Sequence, residues 1–187
     1  MRNRIYFGVA AVLIVSSFML NLGCAVSHDR RDPTGELFPT VAGVALDGAA
    51  IELPTIGEGA PLLLLLGYQQ DAQFDIDRWL LGLDQVGIDV KVFEVPTIAG
   101  MIPRMISGTI DGGMRRGIPE EDWGSVVTVY GEADAITSFT GNEDGLTGRV
   151  VLLDASGRVI FFHDRGYSVG ALRRLQAALK ESEVGRE

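Results

Sequence analysis

The sequence predicts an α/β protein: a three-layer sandwich on a mixed central sheet, with an N-terminal β-hairpin and a helical insertion around 97–123. Three observations carry the prediction. Leu62–Leu66 is an unbroken run of leucines, consistent with a strand buried on both faces. It passes through the polar turn "GYQQD" into a segment of helical period, the way a central strand delivers a loop to a helix start. Near the other end, "GRVVLLDASGRVIFFHD" reads as two strands joined through Asp154–Gly157.

The remaining elements follow in order. "TVAGVALDGAAIELP" places strands near 41–46 and 50–53 about Asp47-Gly48, a dipeptide suited to a tight hairpin turn. From Ala72 to Val86 the apolar positions Phe74, Ile76, Leu80, Leu83 and Val86 recur at helical spacing. Asp75, Arg78, Gly82 and Gln85 then take the opposite face, and Asp71 serves as N-cap. "IDVKVFEVP" alternates as a strand that Pro96 ends. The insertion carries Pro103, Pro119 and several glycines, so its helices should be short and interrupted. "SVVTVYG" gives a strand and "EADAITSFTG" a short helix. Finally, Ser168 caps a helix with Val169, Leu172, Leu175 and Leu179 on one face. Strands of both directions in one sheet satisfy this order with short connections.

At 187 residues the chain holds one domain with a proper core. Its hydrophobic content of 47% and charged content of 22% fit a globular protein. The net charge is −9, and the first 23 residues contain Arg2 and Arg4 but no acid, so the rest is more acidic still. Such a surface repels phosphate backbones, which sets nucleic-acid binding aside. Cys24 is the single cysteine, so neither an internal disulfide nor a two-cysteine redox cycle is available.

The N-terminus reads as a targeting segment. Two arginines precede an apolar run from Ile5 to about Leu20, the layout of an export signal or membrane anchor. Gly23-Cys24 at its end resembles the lipobox of bacterial lipoproteins, although Asn21 stands where an aliphatic residue is usual. That resemblance implies lipidation of Cys24. The competing reading is an uncleaved anchor in which Cys24 is inert. The expected division is 1–23 signal or anchor, 24–36 tether, 37–183 domain and 184–187 tail, with the domain in the periplasm, outside the cytoplasm and held at a membrane.

This element order resembles the thioredoxin-like fold, in the variant of peroxiredoxins and extracytoplasmic thiol oxidoreductases. "FPTVAGVALDGAAIEL" is similar to their opening hairpin, "PLLLLLGYQQDAQF" to the strand and loop before the catalytic helix, and "VTVYGEADAITSFTGNEDGLTGRVVLLDASGRVIF" to the second buried strand and closing hairpin. Two departures bear on function. The paired cysteines of that family would fall near Gln70 and Gln73, and an amide is no thiol nucleophile. The family's cis-proline before the penultimate strand is also missing, since Thr147-Gly148 stands there. A weaker resemblance, through "MRRGIPEEDWGSVVTVYG" and "GRVVLLDASGRVIFFHDRG", links the chain to the thioredoxin-like mitochondrial ATP-synthase assembly factors. It implies a membrane-linked assembly or chaperone role.

Candidate site residues lie in two places. Tyr68, Gln69, Gln70 and Asp71 occupy the loop and helix start, where backbone N–H groups can receive a peptide carbonyl or anion. Against this, Asp71 as a plain cap and Tyr68 as edge packing are the simpler readings. Arg104, Arg115 and Arg116 with Trp123 form an arginine–aromatic cluster of the kind found at interfaces, or else solvated charges offsetting Glu120, Glu121 and Asp122. His163 beside Asp164 reads as a packed histidine rather than a catalytic base, because adjacent strand residues point to opposite faces. Met101, Met105 and Met114 with His163 are soft donors that a copper chaperone would use, though methionines so spaced usually fill a core. "GNEDG" at 141–145 lacks the calcium-loop pattern and reads as a turn. The expectation is a non-enzymatic, tethered binding or assembly factor for a membrane or envelope protein, with no catalytic residue, metal or cofactor. The alternative is a divergent oxidoreductase or a metal- or cofactor-binding protein.

Overall fold

The computed structural model describes residues 26–184 apart from Met101, Ile102 and Arg104. The expected signal, the lipidation site Cys24 and one of the three candidate arginines, Arg104, therefore lie outside the described residues. Among those described, no helix is long and apolar enough to cross a membrane.

Among the described residues, seven strands and four α-helices follow one another: β1 Val41–Ala45, β2 Ala50–Leu53, β3 Leu62–Gly67, α1 Gln73–Val86, β4 Lys91–Pro96, α2 Ser107–Gly117, β5 Val127–Thr128, α3 Ala133–Thr140, β6 Arg149–Leu153, β7 Val159–His163 and α4 Val169–Val184. The main sheet has the order β4-β3-β6-β7, parallel between β3 and β4 and antiparallel elsewhere. A second sheet, β2-β1-β5, is antiparallel throughout. The two are stitched together along β4, where Val129 N donates to Pro96 O at 2.9 Å and Ile98 N to Val129 O at 2.9 Å.

The leucine run explains the layering. Leu62, Leu64 and Leu66 face one core with Val41, Leu53, Ile136 and Phe139, and Leu63 and Leu65 face the other with Trp79, Leu172 and Leu175. Strand alternation thus places the N-terminal hairpin and α3 on one side and α1 and α4 on the other. All five leucines are buried to within 1%, and each contributes about 2 kcal/mol of transfer free energy. This is the mixed α/β sandwich that the sequence predicts.

Two helix faces differ from expectation. On α1 the buried positions are Asp75, Ile76, Trp79, Gly82 and Leu83. Phe74 is 69% exposed, and Leu80 and Val86 are also open to solvent. The face is set by Trp79, the largest side chain of the helix, which is fully buried. Gly82 joins it because the Tyr167 ring lies over the helix there, 2.7 Å from where a Cβ would stand. On α4 Val169 is exposed and Ala171 buried, while Leu172, Leu175 and Leu179 lie inside as expected. Ser168 does cap this helix, accepting from Ala171 N at 3.1 Å. Asp71 makes no cap contact; a short 3-10 turn, Gln70–Ala72, leads into α1 instead. The insertion also holds more regular structure than its glycines suggest: α2 runs eleven residues without interruption.

The segment before the domain is laid along it. Arg30 donates to both carboxylate oxygens of Asp164, at 2.6 and 2.7 Å, and Asn142 exchanges hydrogen bonds with His28. Gly35 N donates to the carbonyl of Val159 at 2.8 Å, and Val159 N to that of Glu36 at 2.9 Å.

Candidate functional site

β3 ends at Gly67, and the chain turns there into Tyr68, Gln69 and Gln70. Gln70 opens the 3-10 turn and Gln73 opens α1, so both glutamines stand at the helix start, as the resemblance implies. Gln69 lies against Gly145, where any Cβ would collide with its amide. Tyr68 is half-buried, its hydroxyl paired with Thr140 and its ring under the Arg149 guanidinium at 4.9 Å. Burial pushes the Tyr68 phenol up to about 12, against the opposing pull of Thr140 and Arg149. It is a neutral wall at any ordinary pH.

Arg149, 2% exposed, organises the neighbouring loop. Its Nη1 donates to the carbonyl of Asp144 and, at 2.7 Å, to that of Thr147. The "GNEDG" stretch is thereby held as a loop, as read from the sequence. Asp75 closes the same region from α1. Its carboxylate accepts from Gly148 N at 3.1 Å and from Tyr167 N at 2.6 Å. A proline at 148 would have no N–H to give Asp75, and a Cβ there would stand 3.0 Å from Ile76.

Beside this turn opens a cleft of about 640 Å³. One wall is the start of α1 and the end of β4, and the other is α2 with the residues after it. Ile76, Pro96, Ile98, Ile110, Met114 and Ile118 make it mostly apolar. Gln70 and Gln73 line its rim, and two carboxyls, Asp77 and Glu94, face in. Glu94 sits in the middle of β4, paired with Leu65, and is only 9% exposed. Desolvation raises its carboxyl above the usual value of 4.5, the Gln73 amide opposes that rise, and the neighbouring Asp77 charge adds to it. Gln73 donates to the neighbouring Asp77 at 2.9 Å.

α2 is fastened to the body by side chains that the sequence marked for other reasons. Arg115 donates to the carbonyl of Leu46 at 2.6 Å and stacks over Trp123 at 5.7 Å. Trp123 in turn donates to the carbonyl of Ile118 at 3.0 Å. The aromatic expected to be exposed is half-buried, while Arg116 is exposed. Tyr130 donates to Asp111 at 2.7 Å, and burial together with that carboxylate pushes its phenol far up. These contacts hold the outer wall of the cleft.

The other candidates separate. His163 packs against Trp79 at 5.7 Å and stacks with Phe161, with its Nε2 on the carbonyl of Gly166 at 2.8 Å. Met114 lines the cleft, and Met105 is 79% exposed. Among the described residues no group of three or more His, Cys, Asp or Glu is placed to hold a metal ion. Glu94 is a site residue that the sequence alone does not single out. Its signal is a carboxylate set among Val92, Phe93 and Val95 in a predicted strand.

No family model and no curated protein matches the chain. Solved structures do. One is BsSco, a member of the Sco family of cytochrome c oxidase assembly proteins, at 12% identity and TM-score 0.57, covering 82% of this chain and 97% of that one. A second is a thiol peroxidase from Chromobacterium violaceum, at 14% and 0.55, covering 86% and 93%. A third is Arabidopsis thaliana ScoI with copper bound, at 11% and 0.51, covering 78% and 99%. At these identities the likeness is one of fold. The chain has a thioredoxin-like fold, and with Cys24 as its single cysteine it holds no cysteine pair.

Proposed function

We propose that this chain is a membrane-tethered, extracytoplasmic binding protein that holds a membrane or envelope protein during assembly, using the thioredoxin-like platform without thiol chemistry. The carrying observation is the cleft between the Gln70–Gln73 turn and α2. Glutamines stand at the reactive end of the fold, and an added helix builds a mostly apolar, open-mouthed groove around them. Such a surface suits recognition. The assembly role named for BsSco agrees with this reading, as does the lipobox-like Gly23-Cys24, which would tether the domain to the periplasmic side of a membrane.

The test is a detergent pull-down of the full-length chain from its native membrane, with mass spectrometry of what co-purifies. A reproducible membrane protein, lost when Gln70 and Arg116 are both replaced by alanine, is the expected result. Gln70→Ala and Arg116→Ala are chosen because both side chains are exposed, whereas Arg115 and Trp123 hold α2 in place. A clean bait carrying stoichiometric copper would overturn the proposal in favour of a metal carrier. The copper-bound ScoI likeness and the thioether of Met114 in the cleft are what favour that second reading. Labelled palmitate incorporated into the wild type and not into Cys24→Ala would establish the tether.

A further inference from the structure

We propose that the cleft is a receptor for a single cationic head on an apolar stem, an alkylammonium or guanidinium group, with Glu94 as its counter-charge. The proposal deepens the binding role above and rests on the same face of the molecule. Three features of the cleft point to this chemistry.

First, among the described residues the lining of the cleft contains the carboxyls Glu94 and Asp77 but neither lysine, arginine nor histidine. Neither acid appears in an ion pair among the described residues. Secondly, Glu94 is nine-tenths buried at the inner wall, on a strand whose neighbour is fully apolar. An acid in such a place costs stability unless something compensates it. The groups of the described residues that act on it are the Gln73 amide and the like charge of Asp77. The amide donates to Asp77 at 2.9 Å and leaves the negative charge of Glu94 in place. Thirdly, the opposite wall offers Ile110, Met114 and Ile118, which suit an aliphatic stem lying beside the head.

Other ligand classes fit less well. An anion meets two carboxyls in a chain of net charge −9. A divalent metal finds two carboxyls and no third His, Cys, Asp or Glu placed with them among the described residues. A purely apolar ligand would bury Glu94 further and leave it uncompensated. A cation on an apolar stem answers both walls. Pairing with a cation would also offset the desolvation that raises the proton affinity of Glu94, because it favours the ionised acid.

The head can belong to a free amine or to a lysine or arginine of the partner. Both are tested with the full-length chain in non-ionic detergent by titration calorimetry, with a protein-free blank. The small probes are hexylammonium, 1-hexanol and hexanoate. The peptide probes are acetyl-Leu-Lys-Leu-amide and its norleucine counterpart. Hexylammonium should bind about tenfold more tightly than hexanol, the increment of one charge-assisted contact, and hexanoate most weakly. Its affinity should rise with pH as Glu94 ionises, and Glu94→Gln should abolish both the preference and the pH dependence. Met114→Phe, which fills the groove, should weaken all of the probes and so locates binding in the cleft. A lysine peptide that outcompetes hexylammonium assigns the head to a partner side chain; the reverse assigns it to a free amine. Equal binding of hexanol and hexylammonium, or an undiminished preference in a folded Glu94→Gln, overturns the proposal. If the ammonium preference holds while no membrane protein co-purifies, the cation site stands and the assembly role falls.

Discussion

Glu94 shows how one side chain can set a pH response. Burial holds its proton more tightly in the folded chain than in the unfolded one, where the ordinary value is 4.5. Protonation therefore favours folding. The contribution is fully present below 4.5 and is lost as pH rises through the higher folded value. Glu94→Gln should accordingly melt above the wild type at pH 8 and converge with it near pH 4, as read by thermal unfolding in the two buffers. Asp75 is the opposite case, a buried carboxylate whose two backbone donors justify its place. Asp75→Ala strands the amides of Gly148 and Tyr167 and should cost about 2–4 kcal/mol in urea unfolding. Asp75→Asn keeps one acceptor and should cost less.

At the scale of the element, the helices of this chain are positioned by what packs on them rather than by their own periodicity. Gly82 and Gly112 make the comparison. Alanine in place of a helical glycine normally adds about 1 kcal/mol, and Gly112 on α2 has open space around its Cβ position. Gly112→Ala should therefore stabilise by that amount. At Gly82 the same change meets the Tyr167 ring at 2.7 Å. That ring packs edge-on against Trp79 at 5.4 Å, so the gain is cancelled and the variant should be the less stable. Equal shifts for the two variants would contradict this account. For α2 itself, Arg115→Ala removes the bond to Leu46 and the stack on Trp123. It should cost about 1–2 kcal/mol and speed amide exchange in α2, whereas Arg116→Ala should leave both unchanged.

For the whole molecule, chemistry is limited by composition and recognition by shape. A chain with one cysteine cannot cycle a dithiol. No disulfide reductase activity is expected, and Cys24→Ser should not alter that blank; turnover surviving in the variant would reveal a redox group of another kind. The acidic balance adds a second expectation. Net charge −9 with Arg30–Asp164 and Arg31–Glu36 as the ion pairs among described residues leaves most acids unpaired. Moderate salt should therefore stabilise the domain slightly by screening self-repulsion, and should weaken hexylammonium binding.

How much of this was legible beforehand differs by residue. The leucine run, the Asp47-Gly48 turn and the closing hairpin are local signals, and their elements formed where the residues placed them. Ser168 capped its helix for the same reason. The buried face of α1 is not legible from periodicity because Phe74 and Leu80 are as apolar as the positions that are buried, and only Trp79 and Tyr167 in place decide between them. The cleft was invisible because its walls come from α1, β4 and α2, which are distant in sequence and meet only when folded.

The sequence by itself determined the layered α/β architecture, the lack of a cysteine pair and the acidic surface, because periodicity, residue identity and charge need no neighbours to be read. Tertiary structure alone decided that Arg115 and Trp123 brace a wall, that Asp75 accepts from the amides of Gly148 and Tyr167, and that Glu94 faces an apolar groove. Each of those depends on which distant groups arrive beside a side chain, and burial and electrostatics are properties of that arrangement rather than of the chain.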